Sequence, residues 1–166
     1  ALLPVKTFDD DHYVFMATSN GIVKKTPLSD FSRPRTAGII AVGLDEGDFL
    51  IGVALTDGKH DVMLFSDEGK AVRFEESDVR ATGRDTRGVR GMNLRKGGKV
   101  IAMLVAESEQ QSVLTATENG FGKRSLVEDF RQTNRGGVGV RSIITSERNG
   151  NVVGAICVTD SDGMLM

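Results

Sequence analysis

Val14-Phe15-Met16-Ala17-Thr18-Ser19-Asn20-Gly21-Ile22-Val23-Lys24-Lys25-Thr26 is a short apolar run, a tight polar turn and a second short run. The pattern returns as Val62-Met63-Leu64-Phe65-Ser66-Asp67-Glu68-Gly69 with Ala71-Val72-Arg73-Phe74. It returns again as Val113-Leu114-Thr115-Ala116-Thr117-Glu118-Asn119-Gly120 with Gly122-Lys123-Arg124-Ser125. Runs rich in Val, Ile, Phe and Thr, bounded by Gly, Asp and Asn, are strand signals, and Asn-Gly favours the positive φ of a hairpin turn. The three glycines are spaced 48 and then 51 residues apart. Working outward, Phe31, Val79 and Phe130 stand ten residues past them, and a second glycine follows at Gly38, Gly88 and Gly139. Runs 39–44, 89–94 and 140–145 come next, then a polar turn, then runs 49–56, 100–106 and 152–159.

Four short strands per ~50 residues, three times over, predict an all-β chain of propeller-like blades. A β-sandwich would not repeat turns, charges and aromatic positions together. The repeats are set at 13–60, 61–111 and 112–162. Residues 1–12 read as the end of a preceding blade. Residues 163–166 read as the start of another, because Asp162 to Met166 resembles Asp61 to Leu64. Three blades do not close a ring, and open sheet edges invite further strands. With no initiator Met, the chain is expected to be a piece of a longer protein with blades on both sides.

Of 166 residues, 39% are hydrophobic and 27% charged, which supports a packed core and excludes long disorder. One cysteine, Cys157, allows no internal disulfide and fits a reducing compartment, so a cytoplasmic location is expected. The start of the chain lacks the pattern of a secretory signal. Catalytic chemistry is not evident. Gly120-Phe121-Gly122-Lys123 lacks P-loop spacing. His12 and His60 have no Cys or second His at ligand spacing, so both read as solvated loop residues and no metal site is expected. Tyr13 is replaced by Asp61 and Ser112 in the other repeats, which argues packing rather than nucleophilic work. Asp9-Asp10-Asp11 lacks the downstream ligands of a calcium loop. The chain is read as non-enzymatic and without a cofactor of its own.

The net charge of −2 hides a separation. Windows 23–35, 70–90 and 123–141 hold 15 of the 21 basic residues and only 7 of the 23 acidic ones. In each repeat the cations fall first on the second strand (Lys24 and Lys25; Arg73; Lys123 and Arg124). They fall again on the connection to the third strand (Arg33 and Arg35; Arg80, Arg84 and Arg87; Arg131 and Arg135). Arg90 and Arg141 follow two residues after the second glycine. Equivalent positions in a radial array share one circumference, so the repeats predict a curved basic band. Such a band suits a bending polyanion, with duplex DNA held through its phosphates as the expected partner. Few aromatics lie among the cations, against a single-strand stacking platform. A propeller that binds a protein partner is the competing class.

The segments Phe15 to Thr26, Arg35-Thr36-Ala37-Gly38, Val62 to Ser66, Val72-Arg73-Phe74, Gly88-Val89-Arg90-Gly91 and Leu114 to Arg124 resemble the C-terminal domain family of DNA gyrase A. The resemblance covers essentially the whole chain. It implies a β-pinwheel whose blades exchange strands and whose basic rim wraps DNA. It also implies partners in the rest of gyrase A and in gyrase B, with ATP and Mg2+ bound elsewhere in that bacterial type II topoisomerase, which introduces negative supercoils at the nucleoid. The corresponding C-terminal domain of topoisomerase IV is a close relative of that family. The family's glutamine-arginine-arginine-glycine-glycine-lysine-glycine box is absent, and Arg135-Gly136-Gly137 is a weak echo of it. The first blade and the acidic tail of the family are also missing. The resemblance therefore implies weak DNA binding by this stretch alone and no support of supercoiling.

Overall fold

The computed structural model describes residues 2–163. It is all-β among these residues, apart from three single 3-10 turns at Leu28–Phe31, Glu76–Asp78 and Val127–Asp129. The first repeat supplies β1 (Tyr13–Thr18), β2 (Ile22–Pro27) and β3 (Leu50–Thr56). The second supplies β4 (Asp61–Ser66), β5 (Lys70–Glu75), β6 (Val89–Arg90) and β7 (Val100–Ala106). The third supplies β8 (Ser112–Thr117), β9 (Gly122–Leu126), β10 (Val140–Arg141) and β11 (Val152–Val158). The sheets run β3-β1-β2-β6, β7-β4-β5-β10 and β11-β8-β9, all antiparallel.

This order corrects the reading of each repeat as one self-contained four-stranded blade. The third strand of a repeat is donated to the sheet before it: β6 completes the first sheet and β10 the second. The first repeat has no earlier sheet within this chain to receive its donated segment, and 39–44 forms no strand. The donated segments that do form are only two residues long, so the runs 89–94 and 140–145 are shorter strands than expected. Residues 2–12 contain no strand, although Val5 packs on the outer face of β1. Of the segment 163–166, only Gly163 lies within the described residues.

Strand alternation explains why the central runs are so apolar. On β4, Val62 and Leu64 face the first blade, where they join Phe15, Ala17, Val23, Val72 and Phe74. Met63 and Phe65 face the third blade and join Val113, Val127 and Phe130. A strand covered on both faces loses the polar half of its period-2 pattern. Phe65 and Phe130 meet edge to face at 5.9 Å, the geometry aromatic quadrupoles favour. Phe130 and Val79 are buried where each 3-10 turn ends. The recurring hydrophobe ten residues past each glycine is therefore a blade-to-blade packing position.

Strand donation makes its own demand on the backbone. Gly88 (φ +91°) and Gly139 (φ +79°) begin the donated segments, and a Cβ there would lie 2.4 Å from the Val23 carbonyl oxygen and 2.5 Å from that of Ala71. Only glycine accepts both the left-handed conformation and that approach.

The first hairpin is tied to β3 by Asp48. Its carboxylate accepts hydrogen bonds from Ser19 Oγ at 2.8 Å and from the backbone N–H groups of Asn20 and Phe49 at 2.9 Å each. Burial alone would raise its pKa, but these bonds and one from the Thr18 side chain outweigh burial and hold it below the ordinary 3.8. A carboxyl depressed in the folded state stabilises the protein above its unfolded pKa and loses that contribution as pH falls through the folded value. Asp48→Ala is expected to cost about 1–3 kcal/mol at pH 7. In urea titrations the gap between wild type and variant should shrink as pH falls below about 4. A gap constant to pH 3 would deny the carboxylate this role.

Candidate nucleic-acid interface

β3, β7 and β11 contact one another from blade to blade, whereas β6 and β10 lie at the opposite edges of their sheets. The blades thus converge on β3, β7 and β11 and splay apart toward the donated strands. The segments leading into β6 and β10, which carry most of the expected basic residues, run along this outer side.

Three of those residues are not available to a ligand. Lys24 (1% exposed), Lys25 (7%) and Arg73 (4%) are buried under the following repeat. Lys24 Nζ donates to the carbonyls of Ala41, at 2.9 Å, and Arg84, and burial pushes its pKa down. Lys25 Nζ donates to the Glu76 carbonyl at 3.2 Å and lies 4.9 Å from the centre of the Tyr13 ring. Arg73 occupies the same repeat position as Lys25. It donates to Asp61 at 2.7 Å and Glu109 at 2.6 Å, and to the carbonyls of Val127 and Phe130 at 3.2 Å. Burial opposes the Arg73 charge, yet the Glu109 and Asp61 carboxylates win and raise its pKa. Lys25 and Arg73 act as pegs: each fastens a second strand to the 3-10 turn of the next repeat. The sequence suggested exposed cations here because it did not show that the next repeat lays a segment across them. Backbone bonds from Thr82 N–H to the Lys25 carbonyl and from Thr133 N–H to the Arg73 carbonyl mark that segment.

The third repeat is the control. No later repeat covers β9 within this chain, and Lys123 and Arg124 are exposed, with Arg124 paired to Asp160.

Along the outer side the connecting segments are laced in series. Arg84 Nη1 donates to the Ile40 carbonyl at 3.0 Å. Its counterpart Arg135 donates from Nη1 to the Arg90 carbonyl at 3.1 Å and from Nε to the Asp78 carbonyl at 3.0 Å. Arg87 pairs with Asp45 at 2.5 Å, both largely exposed. Arg33, Arg35, Arg80, Arg90, Lys123, Arg131 and Arg141 are exposed, and their side chains make no hydrogen bond or ion pair to any described residue. Two pairs among them, Arg80 with Arg131 and Arg90 with Arg141, are repeat equivalents 51 residues apart. Unpaired guanidinium groups held at regular steps on a fixed scaffold are suited to a periodic polyanion. Arg148, outside the expected set, lies over the Phe121 ring at 4.9 Å.

No helix is long and apolar enough to cross a membrane among the described residues. The donated strands and laced connectors recur in known proteins. Residues 12–57, 60–107 and 111–159 match the family model described as DNA gyrase C-terminal domain, beta-propeller. The chain is 54% identical over its whole length to DNA gyrase A of Klebsiella oxytoca and 53% identical to that of Escherichia coli K12. It spans 19% of each of those relatives. Among solved structures, the C-terminal domain of DNA topoisomerase IV superposes with a TM-score of 0.90 at 30% identity, covering 96% of this chain and 50% of that one. A DNA gyrase A C-terminal domain superposes with a TM-score of 0.83 at 31% identity, covering 94% of this chain and 52% of that one. The three matched segments coincide with the three repeats, and the chain belongs to the DNA gyrase C-terminal domain family.

Proposed function

We infer that the outer arginines bind duplex DNA through its phosphates and bend it along the curve of the blades. The carrying observation is the pair of repeat-equivalent, exposed and unpartnered arginines, Arg80 with Arg131 and Arg90 with Arg141, on one side of a rigid array. Membership of the gyrase family supports the same reading. Affinity comes from phosphate neutralisation and counterion release, with little readout of bases. The buried Lys24, Lys25 and Arg73 set the angle between blades and so the path offered to the DNA. In the full protein this surface presents wrapped DNA to catalytic parts that lie outside the chain, in the rest of gyrase A and in gyrase B, where ATP and Mg2+ act to drive supercoiling in the cytoplasm. The chain itself contributes a surface rather than a reaction.

Energy transfer between dyes on the two ends of a ~40-base-pair duplex tests the bending. Smoothly bending 20–30 base pairs costs on the order of 1–6 kcal/mol, within reach of several phosphate contacts. Transfer should rise on saturation with protein and fall back in high salt. Saturable binding with unchanged transfer would mean a straight duplex and overturn the wrapping reading.

A further inference from the structure

We propose that Asp57, His60 and Glu76 form a binding site for a divalent transition-metal ion, with Zn2+ as the probe, at the junction of the first two blades. One ligand atom from each lies within 4.8 Å of the other two. One imidazole nitrogen and two carboxylate oxygens are a donor set that Zn2+ accepts, with water in a fourth position.

The repeats supply an internal control. An Asp-x-x-His turn occurs twice: Asp9 with His12, and Asp57 with His60, each with Oδ1 and Nδ1 2.8 Å apart. In both, the histidine carbonyl accepts the N–H that opens the following 3-10 turn, from Leu28 in one and Glu76 in the other. The turn is therefore a local clasp that needs no ion. What differs is the residue facing it. The position is Leu28 in the first repeat and Val127 in the third, both buried core residues. In the second it is Glu76, 0% exposed.

A carboxylate in an aliphatic position requires compensation. Glu76 Oε1 accepts a hydrogen bond from Thr56 Oγ1, but Oε2 is buried with no partner. Lys25 does not neutralise it: its Nζ is bonded to the Glu76 backbone carbonyl and stacked on Tyr13, and Glu76 has no ion pair among the described residues. A cavity of about 310 Å³ lined by His60, Glu76 and their neighbours connects the cluster to solvent. Ligands on a Zn2+ ion with ~2.0–2.2 Å bonds stand roughly 3–4 Å apart. The half-exposed Asp57 and His60 close that gap by side-chain rotation toward the fixed Glu76. The sequence concealed this site because Glu76 is 16 residues from His60 and stands in a repeat position that is otherwise apolar.

The test is calorimetric titration of the metal-stripped chain with ZnCl2, with Co2+ absorption as a second readout. One equivalent should bind, and Zn2+ should raise the melting temperature. Glu76→Leu and His60→Gln each install the residue found at the equivalent position of another repeat, Leu28 or Gln111, so both should fold. Each should weaken binding at least tenfold and abolish the thermal shift. His12→Gln removes the other clasp and should change neither. Absence of binding at millimolar Zn2+, undiminished binding by folded Glu76→Leu or His60→Gln, or loss of the site in His12→Gln would each overturn the proposal.

Discussion

The fourfold variant Arg80→Glu, Arg90→Glu, Arg131→Glu, Arg141→Glu is expected to lose at least about a thousandfold in affinity for duplex DNA at ~0.1 M salt. Each phosphate contact contributes roughly 0.9 to the slope of log K against log salt, so each is worth about eightfold at that salt concentration. Four lost contacts multiply to the stated factor before any repulsion from the new carboxylates. The melting temperature should stay within a few degrees of wild type, because these side chains touch no other described residue and exposed substitutions seldom exceed ~0.5 kcal/mol each. Arg84, Arg87 and Arg135 are poorer targets. Arg84 and Arg135 brace the connectors through backbone carbonyls and Arg87 is paired with Asp45, so reversal there would mix loss of binding with loss of shape. An intact fourfold variant that binds DNA as wild type does would remove the outer arginines from the interface.

Arg73→Ala should do the opposite, leaving the outer surface in place while loosening the scaffold. Removing one partner of a buried ion pair costs about 3–5 kcal/mol, because the remaining charge stays buried and unpaired. Here the loss strands Asp61 and uncovers the carbonyls of Val127 and Phe130. The Glu109 end of the network contributes little, since that carboxylate is 64% exposed. For a chain of this size the cost corresponds to a fall in melting temperature of roughly 6–20 °C. Arg73→Lys should recover only part of it, because an ammonium cannot serve two carboxylates and two carbonyls in the planar fork that a guanidinium provides. A change of less than ~1 kcal/mol in Arg73→Ala by urea titration would contradict the role of peg.

Much of this architecture was legible in the residues. The spacing of Gly21, Gly69 and Gly120 marked the repeat, and the apolar runs beside them marked the strands. The period-2 pattern said less, because β4 is covered on both faces and shows no alternation. Which sheet each third strand joins was not visible, since a two-residue strand such as Val89–Arg90 carries no pairing information of its own. That one feature explains the errors in the expected interface. A donated segment buries the second-strand cations of the preceding repeat, so Lys24, Lys25 and Arg73 hold the blades while Lys123 and Arg124 stay exposed. The connector arginines were identifiable by type and repeat position. Their division into braces (Arg84, Arg135) and free groups (Arg80, Arg90, Arg131, Arg141) depends on carbonyls about 45 residues away in sequence. Glu76 was hidden for a related reason: its partners come from the other end of a hairpin.

Fluorescence-anisotropy titration of wild type and the fourfold variant with one ~40-base-pair duplex across a salt series addresses the interface most directly. Seven exposed, unpartnered cations, of which about five to seven reach phosphates, give an expected wild-type slope of about −4 to −6, independent of base sequence. The variant's slope should be shallower by about 3–4. Equal slopes for the two proteins, or a wild-type slope near zero, would contradict a basic rim that holds DNA by its phosphates.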